Sequence, residues 1–505
     1  VNTNDGNDRV DIRMIAGETI INTGAGTDNI YVGTKAGLGD TDGNVNRIGA
    51  NLFVNGEADG GTLHIDDTGD TLANTGNLTA TELSGLGMTD TITYGTLTTL
   101  NIHLGSGGDT FTIESTHEGV TNLNANAGDD TIHIRTIEGA TNITTGTGTN
   151  IINVGSTMPT TDGNVNGIVG LLTLTGGGTD TLNVDDTGDV VGNTGTLTST
   201  LLTGLGMGSG IDYTSIETLN IDLGSGGDTF LIETTHVGTT NLNTHAGNDT
   251  INIRTISGLT NVNTGAGTNT VNVGSTMPTT GGNVNGISAL LTITGGGIDT
   301  VNVDDRGDLD GNTGNLTSTL LTGLGMSDGI SYTSIETLNI DLGSGADLFT
   351  IETTHVGATN LSTHGGADRV DIRTISGVTT INAGAGADNI YVGTKAGLGD
   401  TAGNVNSIGA NLTVNGDADG GTLHIDDTDD TLGNTGNLTS TELSGLGMTG
   451  TITYGTLTML NIHLGSGGDT FTMESTHAGV TNLNANDGDD TMHVRTIEGD
   501  TNITT

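Results

Sequence analysis

"LNIHLGSGGDTFTI" (100–113), "TNLNANAGDDTIHI" (121–134), "TNITTGTGTNIINV" (141–154) and "LTLTGGGTDTLNV" (172–184) are four readings of one frame. Written with U for an apolar residue, the frame is x-N-U-x-x-G-x-G-x-[DN]-x-U-x-U. Alternation puts Leu123, Ile132 and Ile134 on one face of the chain and Asn122, Asn124, Thr131 and His133 on the other, which is the period of a β-strand. Between the two short strands of each copy lies a Gly-rich corner, where φ > 0 is sterically free. The central glycine falls at Gly107, Gly128, Gly148, Gly178 and Gly226, in steps of 21, 20, 30 and 48 residues.

A longer period encloses the short one. "LGSGGDTF" at Leu104 returns at Leu223, as "LGSGADLF" at Leu342, and at Leu464, in steps of 119, 119 and 122 residues. Residues 361–505 nearly copy residues 1–145. Periods of this kind mark a stacked array of supersecondary units. The expected fold is all-β, a right-handed parallel β-solenoid of the β-helix or β-roll kind. It has about five coils of 20–30 residues in each unit of ~120 residues, two of them expected in the 48-residue step. The whole of 1–505 reads as one continuous solenoid, with long-period units at about 1–100 (partial), 101–219, 220–338, 339–460 and 461–505 (partial). Twenty or so coils at ~4.8 Å each would stack to a rod on the order of 100 Å. "GSTMPTTDGNVNGIVG" after Val154 and its counterparts read as loops at one edge. The chain starts and stops inside a repeat with no cap-like sequence, so a segment of a longer polypeptide, or ends that pair with other copies, is expected.

Composition narrows the function. Trp and Cys are absent, aromatics are 2% and Gly is 88 of 505, so the core must be thin and built from Val, Ile, Leu and a few Phe. Acids outnumber bases 59 to 11, for a net charge of −48. That field repels nucleic acid and anionic membrane and attracts cations. Acidic, aromatic-poor chains are often disordered, but strict alternation kept over hundreds of residues argues otherwise here. No run is long and apolar enough to span a membrane as a helix.

"GSGGDTF" resembles the calcium-binding nonapeptide G-G-x-G-x-D-x-U-x of repeats-in-toxin proteins, with Gly105, Gly107, Asp109 and Phe111 at its second, fourth, sixth and eighth positions. The toxin motif repeats every nine residues, whereas here one copy appears per coil, so one metallated corner is expected rather than two. The chain is also similar to the β-strand-repeat calcium-binding surface proteins of bacteria. These resemblances imply a Ca²⁺ cofactor and an extracellular or cell-surface location.

Stacking supplies its own reason for a cation. Asp109, Asp130, Asn150 and Asp180 should form one column, neighbours ~5 Å apart, where two carboxylates repel by roughly 0.8 kcal/mol in water and more near protein. The corresponding candidate ligands elsewhere are Asp8, Asp28, Asp228, Asp249, Asn269, Asp299, Asp347, Asp368, Asp388, Asp469 and Asp490. A second acidic set, D-D-x-x-D, adds Asp66 and Asp67, Asp185 and Asp186, Asp304 and Asp305, and Asp426 and Asp427. It reads equally well as a solvated loop. Arg306-Gly307-Asp308 spells an adhesion tripeptide, but its siblings read T-G-D or T-D-D, so drift from that template explains it. His117, His236, His245, His355 and His477 read as exposed loop residues, since no converging zinc set accompanies them.

No cluster breaks the repeat as a catalytic site would, so no enzyme is expected. The expected function is a structural extracellular fibre, sheath or surface layer stabilised by calcium. Its expected partners are other copies of itself, head to tail or laterally. The alternative is the stalk of a large calcium-dependent adhesin, ice- or surface-binding, with a cell-surface polysaccharide as a further partner. Partial ranks of Thr121, Asn122, Thr141 and Asn142 would serve that alternative.

Overall fold

In the computed structural model, residues 1–56, 59–417 and 419–505 are described, and among them there is no helix. The chain divides into two compact units, Val1–Asp249 with Gly258–Asn263, and Thr250–Ser257 with Thr264–Thr505.

In the first unit successive strands alternate between two parallel sheets. Thr110–Ile113, Thr131–Ile134, Thr149–Val154, Thr179–Asp185 and Thr218–Asp222 follow one another in one sheet. Thr99–His103, Val120–Asn124, Thr141–Gly146 and Leu172–Gly176 do so in the other. This is the expected β-solenoid, with like stacked on like. Phe111, Ile132, Ile152, Leu182 and Leu219 are register partners in turn, and so are Ile102, Leu123, Ile143 and Leu174. All are buried between the sheets. Thr121 and Thr141 are buried as well, stacked between Leu100 and Leu172 in the core, and so form no surface rank.

The corner glycines are there because backbone lies on backbone. A Cβ on Gly128 would stand 2.3 Å from the carbonyl oxygen of Gly107, and one on Gly148 would stand 1.8 Å from that of Gly128. Outside the core, asparagines stack into amide ladders. The Nδ2 groups of Asn183, Asn220, Asn241 and Asn261 donate to Oδ1 of Asn153, Asn183, Asn220 and Asn241 at 2.7–2.8 Å.

The repeat differs from the expected five coils. The 48-residue step from Gly178 to Gly226 holds a three-stranded antiparallel meander, Thr194–Leu197, Leu201–Gly204 and Ile211–Thr214, rather than two further coils. It is inserted in the plane of one sheet, between Leu172–Gly176 and Thr229–Ile232, with parallel pairing at both sides. Counting the meander as one step, the chain changes sheet nine times per long repeat, so each repeat holds four and a half coils. The preceding meander, Thr75–Leu78, Glu82–Gly85 and Ile92–Gly95, accordingly lies in the opposite sheet, between Leu52–Asn55 and Thr110–Ile113.

The second unit uses the same devices. Phe349, Val370, Ile390, Leu423 and Leu460 stack in register. Its meanders are Thr313–Leu316, Leu320–Gly323 and Ile330–Thr333, then Thr435–Leu438, Glu442–Gly445 and Ile452–Tyr454, again in opposite sheets.

Each meander leaves its first strand a glycine under a phenylalanine of the next coil. A Cβ on Gly195 would lie 2.5 Å from Cδ2 and Cε2 of Phe230. Gly195→Ala should therefore destabilise the first unit by about 1–3 kcal/mol through overpacking, and Phe230→Leu in that background should recover part of the loss. Urea midpoints of the two variants, with hydrogen exchange over residues 194–204, check this. Unchanged midpoints would mean that the contact carries no weight.

Candidate metal columns

Each predicted column exists, and its members are joined by hydrogen bonds rather than merely stacked. The N–H of Asn74 donates to Oδ1 of Asp109 (2.8 Å), that of Asp109 to Oδ1 of Asp130 (2.8 Å), and that of Asp130 to Oδ1 of Asn150 (3.0 Å). Asn150 Nδ2 donates to Asp180 Oδ1 (2.9 Å), and the Asp180 N–H donates to Glu217 Oε2 (2.7 Å). The first unit has two more such columns: Asp8 to Asp28, and Asn193 to Asp228 to Asp249. The second unit joins Asn269 to Asp299 to Glu336, Asn312 to Asp347 to Asp368 to Asp388, and Asn434 to Asp469 to Asp490. Sequence reading missed the asparagines that open these columns and the glutamates that end them, although the 35-residue spacing from Asn74 to Asp109 recurs from Asn193, Asn312 and Asn434.

Two features of the columns differ from expectation. Half-integral coils shift the column with each repeat: Asp109 precedes a strand of one sheet and Asp228 a strand of the other, so both corners carry acids. The carboxyls are also inside rather than in solvent, Asp109 at 2% and Asp130 at 1% exposure. Burial pushes the Asp130 carboxyl up to about 6, against the pull of the Asp109 N–H, and Asp388 likewise to about 6. The second oxygen is left over. Oδ2 of Asp8, Asp28, Asp109, Asp130, Asp228, Asp347, Asp368, Asp388 and Asp469 is buried with no hydrogen-bond partner. An uncompensated buried oxygen is costly, so these atoms are where a cation would be held. Asp180 and Asp299 differ, because their Oδ2 atoms take two glycine N–H groups each. Among the described residues no three Asp, Glu, His or Cys side chains converge on one point as metal ligands. Any ion in a column would therefore draw on carboxylates of successive coils and on backbone carbonyls, both of which suit Ca²⁺.

The D-D-x-x-D set has a structural task, identical in all four copies. It clamps the loop that follows the third copy of the frame, residues 155–168 and their counterparts. Asp66 Oδ2 accepts the Gly43 N–H (2.9 Å), Asp67 Oδ1 the Val45 N–H (3.0 Å), and Asp70 Oδ2 the Asn46 amide (2.9 Å). Asp185, Asp186 and Asp189 hold Gly163, Val165 and Asn166 in the same way. Asp304, Asp305 and Asp308 hold Gly282, Val284 and Asn285. Asp426, Asp427 and Asp430 hold Gly403, Val405 and Asn406. The signal was present in the sequence, since every D-D-x-x-D is matched by a G-N-V-N upstream. Arg306 likewise serves the fold, its Nε donating to Asp304 Oδ1 at 2.7 Å.

Four of the histidines are not the exposed loop residues expected. His117, His236, His355 and His477 pack edge-on against Tyr94, Tyr213, Tyr332 and Tyr454 at 5.9–6.1 Å, with Nε2 buried. His245 is exposed and paired with Asp222 at 3.1 Å.

The chain matches no protein-family model and no curated protein.

The middle acid of each clamp is the deepest. Burial pushes Asp67, Asp186, Asp305 and Asp427 up to about 7, opposed by the valine N–H bond. A carboxyl raised in the folded state binds its proton more tightly there than in the unfolded chain. Its contribution is complete below the unfolded value and is lost as pH rises through about 7. With chelator present, the urea midpoint should fall between pH 5.5 and pH 8.5. Changing all four to Asn, which keeps the acceptor for valine, should flatten that slope. A midpoint that rises with pH would refute the assignment.

Proposed function

We propose that this chain is a structural extracellular protein, a calcium-stabilised β-solenoid that serves as a fibre, sheath or surface layer. The observation that carries the reading is the pairing of buried, unpartnered oxygens on successive coils. Asp109 and Asp130 flank the register pair Thr110↔Thr131, and Oδ2 of each is buried with no partner. Strand spacing sets them ~4.8 Å apart. Asp347, Asp368 and Asp388 repeat the arrangement three deep. Calcium bound there would neutralise acids that burial otherwise disfavours as anions. The resemblance to repeats-in-toxin and β-strand-repeat proteins supports the same ion and the same location, and the net charge of −48 favours divalent counter-ions.

No catalytic role is proposed. The features repeated along the chain are its columns, clamps and ladders, which suit a load-bearing material. The stalk of a large calcium-dependent adhesin rests on the same columns and differs in whether copies associate.

Millimolar calcium should raise the thermal midpoint and EDTA should lower it, while Asp130→Asn and Asp368→Asn should each shrink the difference. A midpoint indifferent to both additions would remove calcium from the account. Electron microscopy separates the two readings: filaments or sheets that disperse on chelation support the fibre, and single particles under both conditions favour the stalk.

A further inference from the structure

The two middle repeats are near copies, yet they differ at one recess. In the first unit the loop of residues 155–168 borders an open recess of about 530 Å³ over the outer strand face. Met158 and Pro159 supply an apolar wall, and Asp162, Asp185, Asp222 and His245 supply the polar one. In the second unit most of these residues have identical counterparts 119 positions on: Met277, Pro278, Asp304, Asp341 and His364. Two lining residues do not: Arg306 stands in the place of Thr187, and Gly281 in that of Asp162. The Arg306 guanidinium lies between the two acids, its Nε donating to Asp304 Oδ1 at 2.7 Å and its Nη2 standing 3.5 Å from Asp341 Oδ2.

We propose that the recess of the first unit is a binding site for a guanidinium group, seated between Asp185 and Asp222 as Arg306 is seated between Asp304 and Asp341. Thr187 is too short to reach across. Its hydroxyl stays on Asp185 Oδ1 at 2.5 Å. Among the described residues, Asp222 is hydrogen-bonded on Oδ1, by Asn243 Nδ2 at 2.9 Å and His245 Nε2 at 3.1 Å. Its Oδ2 corresponds to the oxygen that faces Nη2 in the second unit. A planar cation can share its N–H groups between two carboxylates while its stem lies along the apolar wall.

A divalent metal fits less well. Both oxygens of Asp185 already accept protein donors, from Gly163 N–H and Thr187, and Ca²⁺ requires six to eight oxygens. The outer repeats offer no such site. There Tyr31 and His64 stack at 4.3 Å where Asn153 and Asn183 stand, His103 replaces Asp222, and the cavity shrinks to about 60 Å³. The inference is independent of the fibre reading and of calcium in the columns.

Titrating arginine amide into the full chain, followed by calorimetry, tests it. Saturable binding at one site per chain is expected. Asp222→Asn should weaken it by about tenfold or more, the scale of one charge-assisted hydrogen bond, and lysine amide should bind correspondingly less well than arginine amide. Thr187→Arg should fill the recess and abolish binding. Arg306→Thr should open the second recess and raise the stoichiometry from one to two, and this gain does not depend on any variant losing its fold. Binding that is indifferent to Asp222→Asn and leaves Arg306→Thr at one site would overturn the proposal, as would displacement of arginine amide by stoichiometric calcium chloride. If the guanidinium belongs to a second copy of this chain, sedimentation should show self-association that arginine amide reverses. If it belongs to a free small molecule, the chain should sediment unchanged across the same concentrations.

Discussion

A residue in the parallel files of this chain must tolerate a near-copy of its surroundings one strand spacing above and below. That constraint governs the structure more than any single contact. Apolar side chains satisfy it simply, by burying one another in files such as Phe111, Ile132, Ile152 and Leu182. Corner glycines satisfy it by having no Cβ where carbonyl oxygens close in. Asparagine satisfies it best among polar residues, because one amide carries both a donor and an acceptor and can pass a hydrogen bond along a file without a remainder. Aspartate cannot, since an ionised carboxylate only accepts. Asp109, Asp130, Asp347 and Asp388 therefore each take the main-chain N–H of a column neighbour with one oxygen, and among the described residues the other has no hydrogen-bond partner. Asn150 and Asn269 sit where the next acid is already served by glycine N–H groups, and there the amide donates directly to the carboxylate. An aspartate completes its file only where further donors reach its second oxygen, as glycine N–H groups do at Asp180 and Asp299.

The second constraint is arithmetical. Nine changes of sheet per repeat is an odd number, so whatever a repeat carries on one face its successor carries on the other. The meander makes this workable. Its three antiparallel strands fill, in the plane of one sheet, the room of extra coils without altering the alternation on either side. Corner acids, clamped loops and meanders are thereby distributed over both faces within each unit. A repeat built on a whole number of coils would crowd them onto one.

Much of this was legible in the residues. Alternation around Leu123 and Ile132, and the recurrence of Gly107 at Gly128 and Gly148, were enough for strand, corner and register, because both follow from local chemistry repeated many times. The column from Asp109 to Asp180 followed from register alone. What the sequence concealed was non-local. "TGTLTSTLLTGLGM" (194–207) has strand-forming residues at ordinary spacing, and nothing in it says that the partners are antiparallel. A turn of that direction, taken once per repeat, changes five coils to four and a half. The burial of Thr121 and Thr141 was missed for a related reason, since a threonine near the start of a strand is read by type as outward when its register file runs inward. The clamp role of D-D-x-x-D lay in a pairing with G-N-V-N that no single motif displays.

Departures from likeness are the more telling places. In the outer repeats the file that elsewhere holds asparagines runs Asp11, Tyr31, His64, with Tyr31 flat on His64 and Arg9 of the neighbouring file laid over Tyr31 at 3.8 Å, and the arrangement recurs as Asp371, Tyr391, His424 and Arg369. Phenol ring and imidazole tolerate each other in the file by stacking, and the guanidinium from the next file covers the free face of the phenol ring. The middle repeats keep the amide file and place chemical difference beside it, in Asp222 and His245 against Asp341, His364 and Arg306. A solenoid that must repeat to fold can vary only at positions whose file tolerates unlike neighbours, and those are its outward files and the loops over them. The same stacking that makes the interior uniform thus leaves chemical variety to that surface.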